Sequence, residues 1–141
     1  MLVEYDFKVR WGDTDAAGIV FYPNFYKWMD EATHEYLNKS EIRSNTIFET
    51  MKINVPLVEA LCQFKKPLFF EDQVTVKSVI SELHRKVFKI SHEFYKGEDC
   101  VAQGYEIRAW TSFLDTPKAM EIPMEIRNKM ISEVTLILTK K

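Results

Sequence analysis

The stretch that decides the fold is "GDTDAAGIVFYPNF", residues 12 to 25, together with the chain that follows it. It places two carboxylates, Asp13 and Asp15, ahead of small residues, an apolar pair and two aromatic residues. After it, apolar residues recur at helical spacing, at Phe25, Trp28, Met29, Ala32 and Tyr36. This period predicts a helix with Asn24 as its N-cap that runs to about Asn38. An acidic turn therefore leads directly into a long amphipathic helix.

The segment before the turn and most of the chain after the helix have the period of β-strands. Residues 3–11 alternate, which predicts a strand with one face formed by Val3, Tyr5, Phe7, Val9 and Trp11. Further strands are predicted at 55–64, 73–80, 86–95 and 101–113, with a turn at 97–99 and a shorter helix at 44–51. Because short connections force neighbouring strands to be antiparallel, we predict an α+β fold in which one sheet wraps against one helix.

Composition limits the classes of function. A chain of 141 residues predicts one domain, residues 1–141, and 19 basic against 21 acidic residues argue against a nucleic-acid or membrane-surface partner. No apolar run approaches the roughly 20 residues of a bilayer span, and the first residues are unlike a cationic leader. Cys62 and Cys100 lack metal-site spacing, and the histidines form no catalytic set. His92 is expected in the interior or at an interface. We expect a cytoplasmic protein without a cofactor or metal.

The segment "DTDAAGIVFYPNF" resembles the active-site segment of the 4-hydroxybenzoyl-CoA thioesterase family, which reads D-x-D-x-x-G-[IV]-V, then aromatic residues, then P-N at the start of the central helix. The resemblance continues in order through "FKKPLFFEDQVTV", "ELHRKVFK", "VAQGYEIRAW" and "KAMEIP". It implies a hot-dog fold, a five-stranded antiparallel sheet wrapped around one long central helix, and hydrolysis of an acyl-CoA thioester. Relatives that act on short aliphatic or acyl-carrier substrates usually have His at Tyr22, so "YPN" favours an aromatic acyl group.

The resemblance also implies the catalytic groups. It places the catalytic carboxylate at Asp15, as a nucleophile or as a general base for water, and both roles stay open. It places the oxyanion donor at the backbone amide of Tyr22, where orphan N–H groups and the helix dipole favour negative charge. Gly18 fits a position where the backbone bends sharply or approaches the ligand. Asp13 is interpreted as structural, binding backbone amides around the turn.

Substrate-binding residues follow from the same resemblance. Asp30 matches an acid that lies near the acyl-ring hydroxyl in hydroxybenzoyl-specific members, although a solvated helix acid is an equal alternative. If Asp30 contacts the substrate, a hydroxylated ring is favoured, because a buried carboxylate requires a donor. Arg85, Lys86 and Lys118 match basic positions that bind the phosphates of coenzyme A, and a solvated turn would also explain the first two.

Oligomerisation is expected as well. A single helix leaves one face of the sheet uncovered, and hot-dog proteins pair edge to edge, so we expect a homotetramer of dimers with shared active sites. Asp15 would come from one subunit and residues around 54–61 from the other. Two alternatives to an aromatic acyl-CoA thioesterase stay open: a thioesterase for short aliphatic acyl-CoA or acyl-carrier-protein substrates, and a non-catalytic acyl-CoA-binding module.

Overall fold

The computed structural model describes residues 1–131, and residues 132–141 of the predicted domain lie outside that range. The elements are β1 (Val3–Lys8), a 3₁₀ turn (Trp11–Asp13), α1 (Pro23–Lys39), α2 (Ser44–Met51), β2 (Ile53–Asn54), β3 (Leu57–Phe64), β4 (Gln73–Leu83), β5 (Val87–Lys96), β6 (Asp99–Ala109), β7 (Thr111–Ser112), β8 (Lys118–Ala119) and α3 (Met124–Met130). The main sheet has the order β1-β4-β5-β6-β3 with all neighbours antiparallel, and a small second sheet has the order β2-β7-β8. The predicted α+β architecture is confirmed.

Helix α1 lies against one face of the main sheet and divides the core into two clusters. Its first half contributes Phe25, Trp28, Met29 and Ala32 to a cluster with side chains of β4 and β5. Its second half contributes Tyr36 and Leu37 to a cluster with Phe88, Ile90 and Trp110. Burial of each such large side chain contributes about 1.5–3 kcal/mol, so the apolar stripe of α1 holds the helix on the sheet.

Gly104 in β6 sets how closely α1 and β3 approach the sheet. A Cβ at this position would lie 2.2 Å from the Leu61 carbonyl oxygen and 3.1 Å from the Met29 sulfur. Any larger residue would therefore push the edge strand or the helix outward.

Two predictions about the first elements are wrong in detail. Tyr22 occupies the N-cap position and Pro23 begins α1, a place where proline loses no hydrogen bond. Asn24 lies inside the first turn, and its side chain donates to the Asp13 carbonyl oxygen at 2.9 Å. The first strand ends at Lys8, and Trp11 is 74% exposed in the 3₁₀ turn.

The last long strand also ends earlier than the predicted residue 113. Strand β6 stops at Ala109, and Thr111–Ser112 pairs instead with β2 and β8 in the small sheet. At the break, the Trp110 N–H donates to the Lys86 carbonyl at 2.8 Å, while its carbonyl accepts from the Met120 N–H at 2.7 Å. These bonds tie the β4–β5 hairpin to the small sheet.

Both cysteines are free thiols. Burial raises the pKa of Cys62 to about 11, so this thiol stays protonated at neutral pH and is a poor nucleophile. Within residues 1–131, no helix has the length and apolar character required to cross a membrane. The same part of the chain brings together no group of three or more His, Cys, Asp or Glu side chains suited to a metal ion.

Candidate active site

Asp15 lies in a tight, exposed turn just before α1. The turn is closed by hydrogen bonds from the Asp15 N–H to the Ile19 carbonyl and from the Gly18 N–H to the Asp15 carbonyl, both at 2.9 Å. One carboxylate oxygen, Oδ1, accepts from the Ala17 N–H at 2.8 Å. Gly18 has φ +82°, a conformation that favours glycine, as expected for a sharp bend. The carboxylate is therefore held at one oxygen by a rigid turn.

Asp13 fastens this turn to the start of α1. Its buried carboxylate accepts from the Arg10 N–H at 2.8 Å, and its carbonyl accepts from the Phe21 N–H at 2.8 Å and from the Asn24 side chain. Lys27 of α1 lies 3.5 Å from the second carboxylate oxygen. Asp13 therefore binds backbone around the turn, as predicted for a structural residue. These bonds also fix the position of Asp15 relative to the helix.

The backbone amide of Tyr22 is an orphan donor at the start of α1. The Asn24 and Phe25 amides donate to the Phe21 and Tyr22 carbonyls at 3.0 and 3.1 Å, and Pro23 has no N–H. Within the described part of the chain, no acceptor is recorded for the Tyr22 N–H. The Tyr22 ring itself is exposed and packs edge-on against Phe21 and Phe64. The helix thus offers one free N–H where its dipole favours an anion.

Two adjoining depressions flank the turn. One has a volume of about 470 Å³ and is lined by Ile19, Val20, Tyr22, Phe25, Phe64, Lys65, Lys66, Pro67 and Leu68. The other has a volume of about 510 Å³ and is lined by Trp11, Gly12, Thr14, Asp15, Ala16, Gly18 and Phe70. The consecutive residues Gly18 and Ile19 line the second and the first of them, respectively. A single chain therefore brings Asp15 and Tyr22 to neighbouring open surfaces, not to a single closed pocket.

Asp30 lies about two turns further along α1, on the side of the helix that faces the β3 edge. Its Oδ1 accepts from Arg108 Nη2 at 2.6 Å and lies 3.5 Å from His34 Nε2, while half of the side chain is exposed. The hydrogen bond with His34 lowers the pKa of Asp30 to about 2, assisted by Arg108 and opposed by partial burial. Asp30 is thus an ion-paired carboxylate and not the freely solvated helix acid of the alternative interpretation.

Beneath Asp30 lies a buried polar network that the sequence did not predict. Glu106 and Arg108 are 1% and 4% exposed, and Arg108 Nε and Nη2 donate to the two Glu106 oxygens at 3.0 and 2.9 Å. Thr33 donates to Glu106, and His92 binds Thr33 at 3.1 Å and Ser78 at 2.6 Å. The sequence signal was two opposite charges two residues apart on one face of a predicted strand, the same face as His92 of the neighbouring strand.

The predicted coenzyme A residues lie far from Asp15 within a single chain. Arg85 and Lys86 form the β4–β5 hairpin, which binds the segment after β8 through the Ile122 N–H and the Arg85 carbonyl at 2.9 Å, so Lys118 is at the same end. The chain enters the Asp15 turn from the other end of β4, where the Val9 N–H donates to the Asp72 carbonyl and the Val20 N–H donates to the Leu68 carbonyl, both at 2.9 Å. At ~3.3 Å per residue, the 11 residues of β4 separate the two places by roughly 30 Å.

The chain is similar to known proteins both in sequence and in structure. A family model described as "Thioesterase-like superfamily" matches residues 9–130. A 1,4-dihydroxy-2-naphthoyl-CoA hydrolase from Nostoc punctiforme is 31% identical over 73% of this chain and 70% of its own. A solved gentisyl-coenzyme A thioesterase is 44% identical, with a TM-score of 0.82 over 91% of this chain and 98% of that one. The 4-hydroxybenzoyl-CoA thioesterase of Pseudomonas sp. strain CBS-3 has the same TM-score and coverage at 27% identity.

Proposed function

Because the chain belongs to the thioesterase-like superfamily, we propose that it hydrolyses an acyl-CoA thioester whose acyl group is a hydroxylated aromatic ring. The likeness to solved relatives confirms the hot-dog fold, and relatives named as acyl-CoA thioesterases or hydrolases support thioester hydrolysis. These relatives are named for hydroxybenzoyl, dihydroxynaphthoyl and gentisyl thioesters, whose acyl groups are all hydroxylated aromatic rings. We assign the same class of substrate to this chain.

The observation that carries the proposal is the pairing of a rigidly held carboxylate with an orphan helix amide. Asp15 supplies negative charge to attack a carbonyl carbon, either directly or through a deprotonated water molecule. The oxyanion that develops accepts a hydrogen bond from the Tyr22 N–H, aided by the dipole of α1. Asp13 keeps the two groups in fixed relation, since it binds both the turn and the first residues of the helix.

The chemistry differs between the two routes in one intermediate. In direct attack, the Asp15 oxygen bonds to the acyl carbon, coenzyme A leaves as the thiolate and takes up a proton, and water then cleaves the mixed anhydride. In the general-base route, Asp15 takes a proton from water, which attacks, and the proton passes to the departing sulfur. Both routes yield the free acid and coenzyme A, and both require the Tyr22 amide.

The location of the basic residues supports a site shared between subunits. Strand β3 is an open edge of the sheet with four exposed apolar side chains, Leu57, Val58, Leu61 and Phe64. Two-fold pairing of β3 with β3 of a second copy would be antiparallel. It would bring the Asp15 end of one sheet next to the Arg85 end of the other and cover the apolar depression beside Tyr22. We propose that residues of another subunit, including its Arg85, Lys86 and Lys118 in the tetramer, bind the coenzyme A phosphates.

A panel of thioesters tests the proposed activity. We expect release of free thiol from a hydroxybenzoyl-CoA with a kcat/KM at least roughly tenfold above those for benzoyl-CoA and hexanoyl-CoA, since one charge-assisted hydrogen bond is worth about 1.5–3 kcal/mol. A preference for hexanoyl-CoA would instead identify a thioesterase for aliphatic chains. Binding of every thioester without thiol release would identify an acyl-CoA-binding module.

The shared site predicts that a charge on the β3 edge reduces activity. We expect Val58→Lys, at a side chain that is 62% exposed, to dissociate the oligomer in size-exclusion chromatography with light scattering and to lower kcat/KM by at least about tenfold, because lysine on an edge strand opposes pairing. Leu2→Lys is the matched control, since Leu2 is 57% exposed beside the other edge strand, β1. If Leu2→Lys dissociates the oligomer and Val58→Lys does not, pairing occurs through β1.

A further inference from the structure

We propose that Arg108 is a specificity-determining positioning residue: it holds Oδ1 of Asp30 inward, so that α1 presents Oδ2 to a hydroxyl group on the acyl ring. The inference rests on the proposed function, because it concerns how the same site selects a hydroxylated substrate. Arg108 does not contact the substrate and acts only through Asp30.

The first support is the way in which Arg108 is held. Its guanidinium uses Nε and Nη2 on Glu106 and Nη1 on the Val55 carbonyl at 2.8 Å, and Nη2 also donates to Asp30 at 2.6 Å. The group is 4% exposed, and its planar fork leaves no alternative orientation that satisfies all four acceptors. The donor that faces Asp30 is therefore fixed in direction.

The second support is that the network is anchored back to α1. Glu106, which orients Arg108, accepts from Thr33, and Thr33 lies three residues after Asp30 on the same helix. His92 of β5 binds Thr33 from the side of the main sheet and is itself hydrogen-bonded to Ser78 of β4. Helix α1 is thus fastened to the sheet at two points one turn apart, which fixes its rotation about its axis.

The third support is the exposure of Asp30 itself. Every contact recorded for its carboxylate within residues 1–131 is made by Oδ1, and 50% of the side chain remains accessible. The open oxygen lies on the side of α1 toward β3, the strand proposed to meet the other subunit. On assembly, this oxygen loses water and requires a donor, which a ring hydroxyl supplies and an unsubstituted ring does not.

A solely structural network would behave differently from a positioning one. If the network only stabilises the fold, weakening it would lower the activity toward all thioesters by the same factor. If the network positions Asp30, weakening it would lower the activity toward hydroxylated aryl thioesters and leave the activity toward benzoyl-CoA nearly unchanged. The ratio of the two kcat/KM values therefore separates these roles.

The test measures that ratio for the parent, Arg108→Lys, Asp30→Asn and the double variant, using benzoyl-CoA and the monohydroxybenzoyl-CoA isomer that the parent hydrolyses fastest. Lysine keeps the charge but has no fork to bridge Glu106 and Asp30, so we expect the ratio to fall about tenfold, with benzoyl-CoA within about threefold of the parent. Asp30→Asn should lower the ratio similarly. Adding Arg108→Lys to Asp30→Asn should lower it no further, because both changes remove one interaction.

Glu31→Gln is the matched control, since Glu31 is the next residue of α1 but binds Tyr5 on the side toward β1. Its ratio should equal that of the parent. Equal losses for both substrates in Arg108→Lys, or additive losses of the ratio in the double variant, would overturn the inference while the thioesterase assignment stands. If Arg108→Lys does not fold, Asp30→Asn decides, and an unchanged ratio in that variant overturns the inference. A parent that hydrolyses neither aryl thioester would overturn the proposed function and this inference together.

Discussion

Replacing Asp15 by Asn should reduce kcat for hydrolysis of a hydroxybenzoyl-CoA by about a thousandfold or more, which corresponds to about 4 kcal/mol of lost transition-state stabilisation. The amide keeps the shape of the side chain and its bond from the Ala17 N–H, so the turn should stay intact. It removes the charge that attacks the carbonyl carbon or deprotonates water. Because binding is not the property lost, KM should change much less than kcat. Steady-state thiol release at varied concentrations of the hydroxybenzoyl-CoA measures kcat and KM.

Asp13→Asn is the control for this variant, since it makes the same chemical change two residues earlier. Asp13 binds the Arg10 amide and lies near Lys27, and it lines neither the depression with Asp15 nor the one with Tyr22. We expect a lower melting temperature for Asp13→Asn and a kcat within about tenfold of the parent, as for loss of one charge-assisted hydrogen bond. An Asp15→Asn enzyme that turns over as fast as the parent would contradict the assignment of the catalytic carboxylate.

The fold could be predicted from the sequence because its main signals are local. The helical spacing from Phe25 to Tyr36 and the alternation in 73–80 and 86–95 correspond to α1, β4 and β5. The errors lie where a hydrogen bond outside the predicted element ends it, a local bond in the first case and a long-range bond in the second. Trp11 continues the alternation of β1, but the bond from the Arg10 amide to the Asp13 carboxylate turns the chain there. The strand predicted to run to 113 ends where Trp110 binds the β4–β5 hairpin.

The candidate site could be predicted only in part, for a related reason. Asp15 and Tyr22 are close in sequence, and the turn that joins them is local, so a motif specifies both. The network under α1 joins residues of four elements, Thr33, Ser78, His92 and the Glu106–Arg108 pair, whose proximity depends on strand register. Alternation in β6 shows that Glu106 and Arg108 share a face. It does not show that this face lies under the helix.

That network should make the protein sensitive to acid. Burial alone would raise the pKa of Glu106, but His92 Nε2 at 3.6 Å and the hydrogen bonds from Arg108 outweigh it and lower the pKa to about 2, against 4.5 ordinarily. The unfolded chain therefore binds a proton at a higher pH than the folded chain. The stabilisation by ionised Glu106, about 3 kcal/mol, should be present above pH ~4.5 and lost as the pH falls toward ~2. Urea unfolding at fixed protein concentration across this range measures the loss.

Replacing Glu106 by Gln should remove both the stabilisation and its pH dependence. At neutral pH we expect a free energy of unfolding about 3 kcal/mol or more below that of the parent, because a buried guanidinium loses its bidentate partner. Between pH ~4.5 and ~3 the variant should lose less stability than the parent, since the titrating group is gone. Glu93→Gln, an exposed carboxylate on the opposite face of β5, should retain the acid sensitivity of the parent. If Glu106→Gln and the parent lose stability in parallel as the pH falls, groups other than Glu106 cause the acid sensitivity, and the network is not its source.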